Sequence, residues 1–195
     1  MNTYNIYITG VGGQGIGLLS EVLLRAADHA GLQAKGVDTH GLAQRGGIVV
    51  SHLRIGDQAH SPLIREGQAD LVVALERHEA LRALNTFLKD GGTLIYYNTV
   101  WQPLEVRLNQ AKEISAALVS EACQRRHIRE IRVFQADLAD VRMQNIVLLA
   151  HINQYHLLPG VSTNHYTQAL EDLLAGSLLT INKQLFENIQ RESEP

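Results

Sequence analysis

The chain has 195 residues, enough for one sizeable core, and its 45% hydrophobic and 19% charged content is that of an ordinary folded domain. With 17 basic against 20 acidic side chains the net charge is -3, which excludes the broad basic surface of a nucleic-acid or anionic-membrane binder. The lone Cys123 excludes an intramolecular disulfide and an all-cysteine iron–sulfur cluster held by this chain. No apolar run approaches the roughly 20 residues of a membrane span, and no basic segment leads into an apolar one, so a cytoplasmic protein that contacts neither membrane nor nucleic acid is expected.

Residues 4–9 form the first expected strand, and Gln14 to Ala30 the first helix, with Ile16, Leu19, Leu23, Ala26 and Ala30 at helical spacing before Gly31. A second strand is expected over 33–38 and a third over 47–55, ahead of the Gly56-Asp57 turn. About nine residues separate these two, fewer than the dozen or so that a parallel crossover needs, so the third strand should run antiparallel or join the sheet elsewhere. Leu71 to Leu75 reads as a strand buried on both faces, with Glu76 just past its carboxyl end. A helix over 78–88, a Gly91-Gly92 turn, a strand over 93–98, a helix over 111–125 and a strand over 131–134 complete the α/β part. Helical patterns follow at 140–156, 165–175 and 177–190, broken by Pro159-Gly160 and Gly176. The expectation is one domain: a three-layer α/β/α core over 1–138 with a mixed, mostly parallel sheet, and a helical C-terminal extension over 139–195 packed on that sheet.

Between the first strand and helix, Gly10, Gly12 and Gly15 satisfy G-x-G-x-x-G in the run Gly10-Val11-Gly12-Gly13-Gln14-Gly15. Missing side chains allow a tight turn and a close backbone approach, with N–H groups at a helix start facing negative charge. The same glycines also suit plain strand–helix packing. A nicotinamide dinucleotide is the natural rival ligand, because Asp38 stands where a ribose-binding acid would lie, but a glycine-rich loop follows the second strand where a dinucleotide fold needs a helix. No Gly-Lys-Ser/Thr ends the loop, so a nucleoside triphosphate is excluded. The nine histidines lack H-E-x-x-H spacing, and His151 and His156 project to different faces, so no metal site is expected. Cys123 reads as a packing residue, and a hydrolase's Gly-x-Ser-x-Gly elbow is absent from the sequence.

A second cluster, His40-Gly41-Leu42-Ala43-Gln44-Arg45-Gly46-Gly47, follows about 25 residues on. Together with Ser51-His52-Leu53-Arg54-Ile55, Ser61-Pro62-Leu63-Ile64, Ala69-Asp70-Leu71 and a weaker echo at 145–150, it makes the chain resemble the gamma subunit of the 2-oxoacid:ferredoxin oxidoreductases, in its indolepyruvate-type variant. The resemblance implies a non-catalytic subunit, inactive alone, of a complex that oxidatively decarboxylates a 2-oxoacid to an acyl-coenzyme A. Thiamine diphosphate with Mg, iron–sulfur clusters and coenzyme A belong to that complex, its large subunit carries the thiamine and clusters, and ferredoxin is the indirect electron acceptor. The sequence lacks the Gly-Asp-Gly and asparagine pair that would hold Mg and thiamine diphosphate, so no cofactor is expected to bind tightly to this chain alone, and the isolated chain is compatible with a homodimer. The alternative is a free-standing nucleotide- or NAD(P)-binding protein. Expected binding residues are Gly10, Gly12, Gly13, Gln14 and Gly15 in the first loop and His40, Gln44, Arg45, Gly46 and Gly47 in the second, facing part of coenzyme A, another phosphate or a partner loop. Arg45 offers a planar donor fork suited to carboxylate or phosphate.

Overall fold

A computed structural model describes residues 3–40, 47–101 and 113–191. Its sheet has six strands: β1 (Tyr4–Val11), β2 (Ala34–His40), β3 (Ile48–Ile55), β4 (Ala69–Ala74), β5 (Leu88–Tyr97) and β6 (Arg129–Val133), in the order β2-β3-β1-β4-β5-β6. β3 runs antiparallel to both β1 and β2, while β1, β4, β5 and β6 pair in parallel, so β3 is the one reversed strand. The short link from β2 to β3 forces that reversal, as the spacing argument requires. Gly91 and Gly92, expected as a turn, coincide with a break in the pairing of β5, with Gly91 at φ 71°. They lie within β5, whose pairing with β4 shifts register between Ala69 and Leu71.

Side chains alternate cleanly across the sheet. Ile6, Ile8, Leu71, Val73, Ile95, Tyr97, Ile131 and Val133 face one side and join a single cluster with α1 (Ile16–His29) and α4 (Gln144–Gln154). Tyr7, Val72, Ala74, Leu94 and Tyr96 face the other and meet α2 (Arg77–Thr86) and α3 (Ala116–Arg125). α3 starts at Ala116, capped by Ser115, rather than at 111 as expected from sequence; 111 and 112 lie outside the described residues.

The C-terminal helices pack on the sheet as the sequence reading expects. A 3-10 turn (Val141–Met143) leads into α4, whose Gln144 to Ala150 are all buried because sheet and helices cover it on every side. α5 (Thr163–Leu173) packs on α1, and α6 (Gly176–Arg191) packs on α4, so the extension shares the core of the α/β part. Gly176, expected as a break, is the first residue of α6.

Candidate functional site at the carboxyl edge of the sheet

β1 leads through α1 to β2 on one side of the sheet, and β4 leads through α2 to β5 on the other. The two helices lie on opposite faces, so the carboxyl ends of β1 and β4 part at a topological switch point, where open α/β sheets place their ligands. The glycine loop occurs there.

Its glycines answer to different constraints. Gly13 and Gly15 take φ of 103° and 80°, a region that side chains disfavour. An added Cβ at Gly13 meets nothing within 4 Å, whereas one at Gly15 would lie 2.5 Å from Asn145 Nδ2 and one at Gly10 would lie 2.7 Å from Gln14 Oε1. Gly15 is where the start of α1 meets the start of α4: Asn145 Nδ2 donates to Gly15 O at 3.1 Å. Gly12 N–H donates to Gly47 O at 2.9 Å and so ties the two glycine clusters together.

Gln14 departs from its expected role. Its side chain is 0% exposed and turned inward. Oε1 accepts from Val11 N–H at 2.7 Å, and Nε2 donates to Leu75 O at 3.0 Å. The carboxamide therefore staples β1 to the end of β4 and fills the crevice from within. With Gln14 N–H also donating to Val11 O at 3.2 Å, two of the four N–H groups from Gly12 to Gly15 are spent inside the protein. The exposed Gly13 and the half-buried Gly12 and Gly15 form the outer rim.

Glu76, just past the carboxyl end of β4, does not stand in solvent. It is 0% exposed and caps α2, accepting from the His78 and Glu79 N–H groups. Burial pushes its carboxyl up to about 7, the backbone N–H groups of His78, Glu79 and Trp101 oppose that rise, and the neighbouring carboxylate of Glu79 adds to it. Glu79 is itself buried, accepts from Thr9 Oγ1 at 3.3 Å and pairs with Arg82 at 3.3 Å.

The motif residues of β3 act lower in the sheet. His52 Nδ1 accepts from Ile64 N–H at 3.1 Å, and its ring meets Tyr7 edge-on at 5.0 Å. Burial lowers its pKa, so the ring is neutral and free to accept. Arg54 donates to Asn5 Oδ1 at 2.9 Å and Ser61 O at 3.0 Å. Together they fix the Ser61-Pro62-Leu63-Ile64 loop, far along β3 from the glycine cluster. Cys123 is buried against the α2–α3 face and burial pushes its thiol up to about 12, which suits packing.

Of the second cluster, Gln44, Arg45 and Gly46 lie outside the described residues, His40 ends β2, and Gly47 precedes β3. Sequence reasoning missed Asn145 as the latch on Gly15; the two are 130 residues apart, and only the echo at 145–150 marked the segment. Asp38 does not sit beside the glycine loop. β3 separates β2 from β1, two strand spacings of about 4.8 Å each, and Asp38 accepts from Ser20 Oγ at 3.1 Å. That geometry removes the ribose acid a dinucleotide site needs. Among the described residues no group of three His, Cys, Asp or Glu could hold a metal, and no helix is long and apolar enough to cross a membrane.

A mixed α/β domain with a stapled switch point and paired glycine clusters is the class that fold and site define. The family model for pyruvate ferredoxin/flavodoxin oxidoreductase matches residues 5–191. Indolepyruvate oxidoreductase subunit IorB of Archaeoglobus fulgidus is 35% identical over 183 residues, covering 91% of this chain and 89% of its own. Its counterpart in Pyrococcus horikoshii is 30% identical over 192 residues, covering 96% and 94%. Among solved structures, the gamma subunit of a keto/oxoacid ferredoxin oxidoreductase from Geobacter sulfurreducens superposes with a TM-score of 0.65 at 21% identity, covering 97% of this chain and 98% of that one. A 2-oxoglutarate:ferredoxin oxidoreductase from Magnetococcus marinus gives 0.66 at 16% identity, with this whole chain matching 32% of that longer one. The chain belongs to the pyruvate ferredoxin/flavodoxin oxidoreductase family, as a subunit of a ferredoxin-dependent oxidoreductase.

Proposed function

We propose that this chain is the non-catalytic subunit of a thiamine-diphosphate-dependent complex in which a 2-oxoacid and coenzyme A become an acyl-coenzyme A and carbon dioxide, with two electrons passing through iron–sulfur clusters to ferredoxin. The observation that carries the reading is the filled switch point. Gln14 occupies the crevice that a cofactor would enter, and the outward rim is the exposed Gly13 with the half-buried Gly12 and Gly15. Such an edge suits closure over a site built by another chain.

The residues of this chain do not fit a thiamine or iron–sulfur role, since Cys123 is a single buried thiol, so no redox step is assigned to it. The rim fits a hydrogen-bond-accepting group, whether a phosphate of coenzyme A or a carbonyl of a partner loop, and Arg45, which lies outside the described residues, is by its chemistry a planar donor fork suited to such a group. The bound partner is the large thiamine- and cluster-bearing subunit, in the cytoplasm. Calorimetric titration of the isolated chain with NAD⁺, NADP⁺ and coenzyme A tests the reading. Weak or no binding is expected for all three, and tight nicotinamide binding would return the free-standing dinucleotide protein.

A further inference from the structure

We infer that the free edge of β2 is a strand-addition site for an extended basic segment of the partner subunit, with the pattern basic–x–apolar–x–basic. The inference rests on reading the chain as a subunit of a larger complex, but its geometry is independent of the glycine loop.

β2 is the outer strand of the sheet, and its pairing with β3 carries no bulge. Gly56 N–H donates to Gln33 O at 2.8 Å, and Ala34 stands opposite Ile55. Antiparallel pairs alternate between bonded and non-bonded, so Gln33, Lys35, Val37 and Thr39 turn their backbone groups toward β3. Ala34, Gly36 and Asp38 turn theirs outward, three successive rungs that find no backbone partner among the described residues. The other edge of the sheet is guarded. β6 has five residues, and Arg129 and Arg132 stand exposed along it, the usual way of discouraging an incoming strand. β2 has no proline, and its single Lys35 reaches back to His60 O at 3.4 Å.

Beside this edge, on the α1 face, runs a groove of about 410 Å³ lined by Leu24, Leu32, Ala34 and Leu173, with Glu21, Arg25 and Asp28 along α1. Gly36 forms its floor, where an added Cβ would lie 2.6 Å from Leu24 Cδ1. Among the described residues neither Glu21 nor Asp28 has a basic partner, because Arg25, the cation between them, lies 3.7 Å from Asp172. The wall therefore carries two acidic side chains, Glu21 and Asp28, on either side of Arg25, which pairs with Asp172, and is apolar at Leu24, Leu32 and Leu173.

Charge and spacing together define the occupant. Glu21 and Asp28 are seven residues apart on α1, about 10 Å along the helix. Two residues on the same face of an added strand and four positions apart are separated by about 13 Å. A segment with an apolar side chain over Gly36 and Lys or Arg two positions to each side thus brings a cation near each of these two carboxylates. A second copy of this chain fits poorly, because a two-fold axis at Gly36 would set Glu21 level with Asp28 of the other copy.

The probe is the blocked heptapeptide Thr-Lys-Thr-Val-Thr-Lys-Thr, titrated into the full chain by NMR at low salt, with a control carrying Glu in place of both Lys. The lysine peptide is expected to shift β2 amides and to bind at least about tenfold more tightly than the control. Ala34→Pro, which removes an outward N–H without touching a β3 rung, and the surface double variant Glu21→Lys with Asp28→Lys should each abolish that preference. The double variant keeps the test valid if the proline impairs folding. In the complex purified with its large subunit, the same variants should weaken assembly about tenfold or more, increasingly as salt is lowered. Equal binding of the two peptides, unchanged assembly by the variants, or dimerisation of the chain through β2 would each overturn the inference. Failure of the wild-type chain to join any thiamine-bearing subunit would instead overturn the functional reading.

Discussion

Replacing Gln14 with leucine tests whether the switch point is stapled from within. Leucine is close to glutamine in volume, so little cavity term enters, and the loss is that of the two hydrogen bonds, to Val11 N–H at 2.7 Å and Leu75 O at 3.0 Å. Each stranded backbone group costs about 1–3 kcal/mol in a buried setting, so Gln14→Leu should lose roughly 2–6 kcal/mol. For a chain of this size each kcal/mol shifts Tm by about 2–4 °C, which places the expected fall on the order of 10 °C. Gln14→Glu separates the two bonds. Ionised, it retains an acceptor for Val11 but sets a buried negative charge against Leu75 O, so its deficit should shrink as pH falls and the carboxyl gains a proton. Urea denaturation of the three proteins at pH 5 and pH 8 gives the numbers. A Gln14→Leu loss below about 1 kcal/mol would refute the staple and reopen the crevice as a ligand site.

Gly15→Val should impair folding and assembly together, and Gly15→Ala should cost about 1–2 kcal/mol for its left-handed backbone plus the collision with Asn145. Asn145→Ala should relieve only the second part, so a double-mutant cycle by chemical denaturation should return a favourable coupling, and additive losses would exclude the latch. Glu76, raised from 4.5 to about 7, binds its proton more tightly in the folded state. The stability this contributes is fully present below pH 4.5 and lost as pH rises through about 7, on the order of 3 kcal/mol. Glu76→Gln should flatten that part of the pH profile in parallel urea titrations, and identical slopes for both proteins would contradict the assignment. Arg45→Ala should leave the isolated chain's Tm unchanged yet weaken assembly or coenzyme A-dependent turnover tenfold to a hundredfold, from a charged hydrogen bond of roughly 1.5–3 kcal/mol. Lysine should rescue in part, and equal values for Arg, Lys and Ala would remove Arg45 from the site.

Much of the fold was legible because its signals are local. Aliphatic runs at Leu71 to Leu75 and the helical spacing from Ile16 to Ala30 report burial directly, and the short gap before β3 was enough to make the sheet mixed. The boundaries that failed are where tertiary contacts decide. Gly91 and Gly92 read as a turn, and they lie inside the span of β5 at the irregularity where its pairing with β4 jumps from Ala69 opposite Leu88 to Leu71 opposite Thr93. The C-terminal helices were legible as an extension packed on the sheet, but not that α4 is buried from Gln144 to Ala150. In the site, the place of the glycine loop was legible and the roles of its members were not. Glutamine in a glycine loop looks like a ligand donor, and only its burial reveals the staple. Glu76 carries no local sign of burial, because a carboxylate is expensive to bury, and three backbone N–H groups offset only part of that cost. Asn145 lay beyond reach, since a contact spanning 130 residues leaves no local pattern.

The most direct measurement is ferredoxin reduction driven by a 2-oxoacid and coenzyme A, with the large thiamine- and cluster-bearing subunit assayed alone, this chain alone, and the two together. The account predicts that this chain alone is colourless and inactive and that turnover requires the assembled complex. A brown or active preparation of this chain by itself, or full turnover by the large subunit without it, would contradict the account.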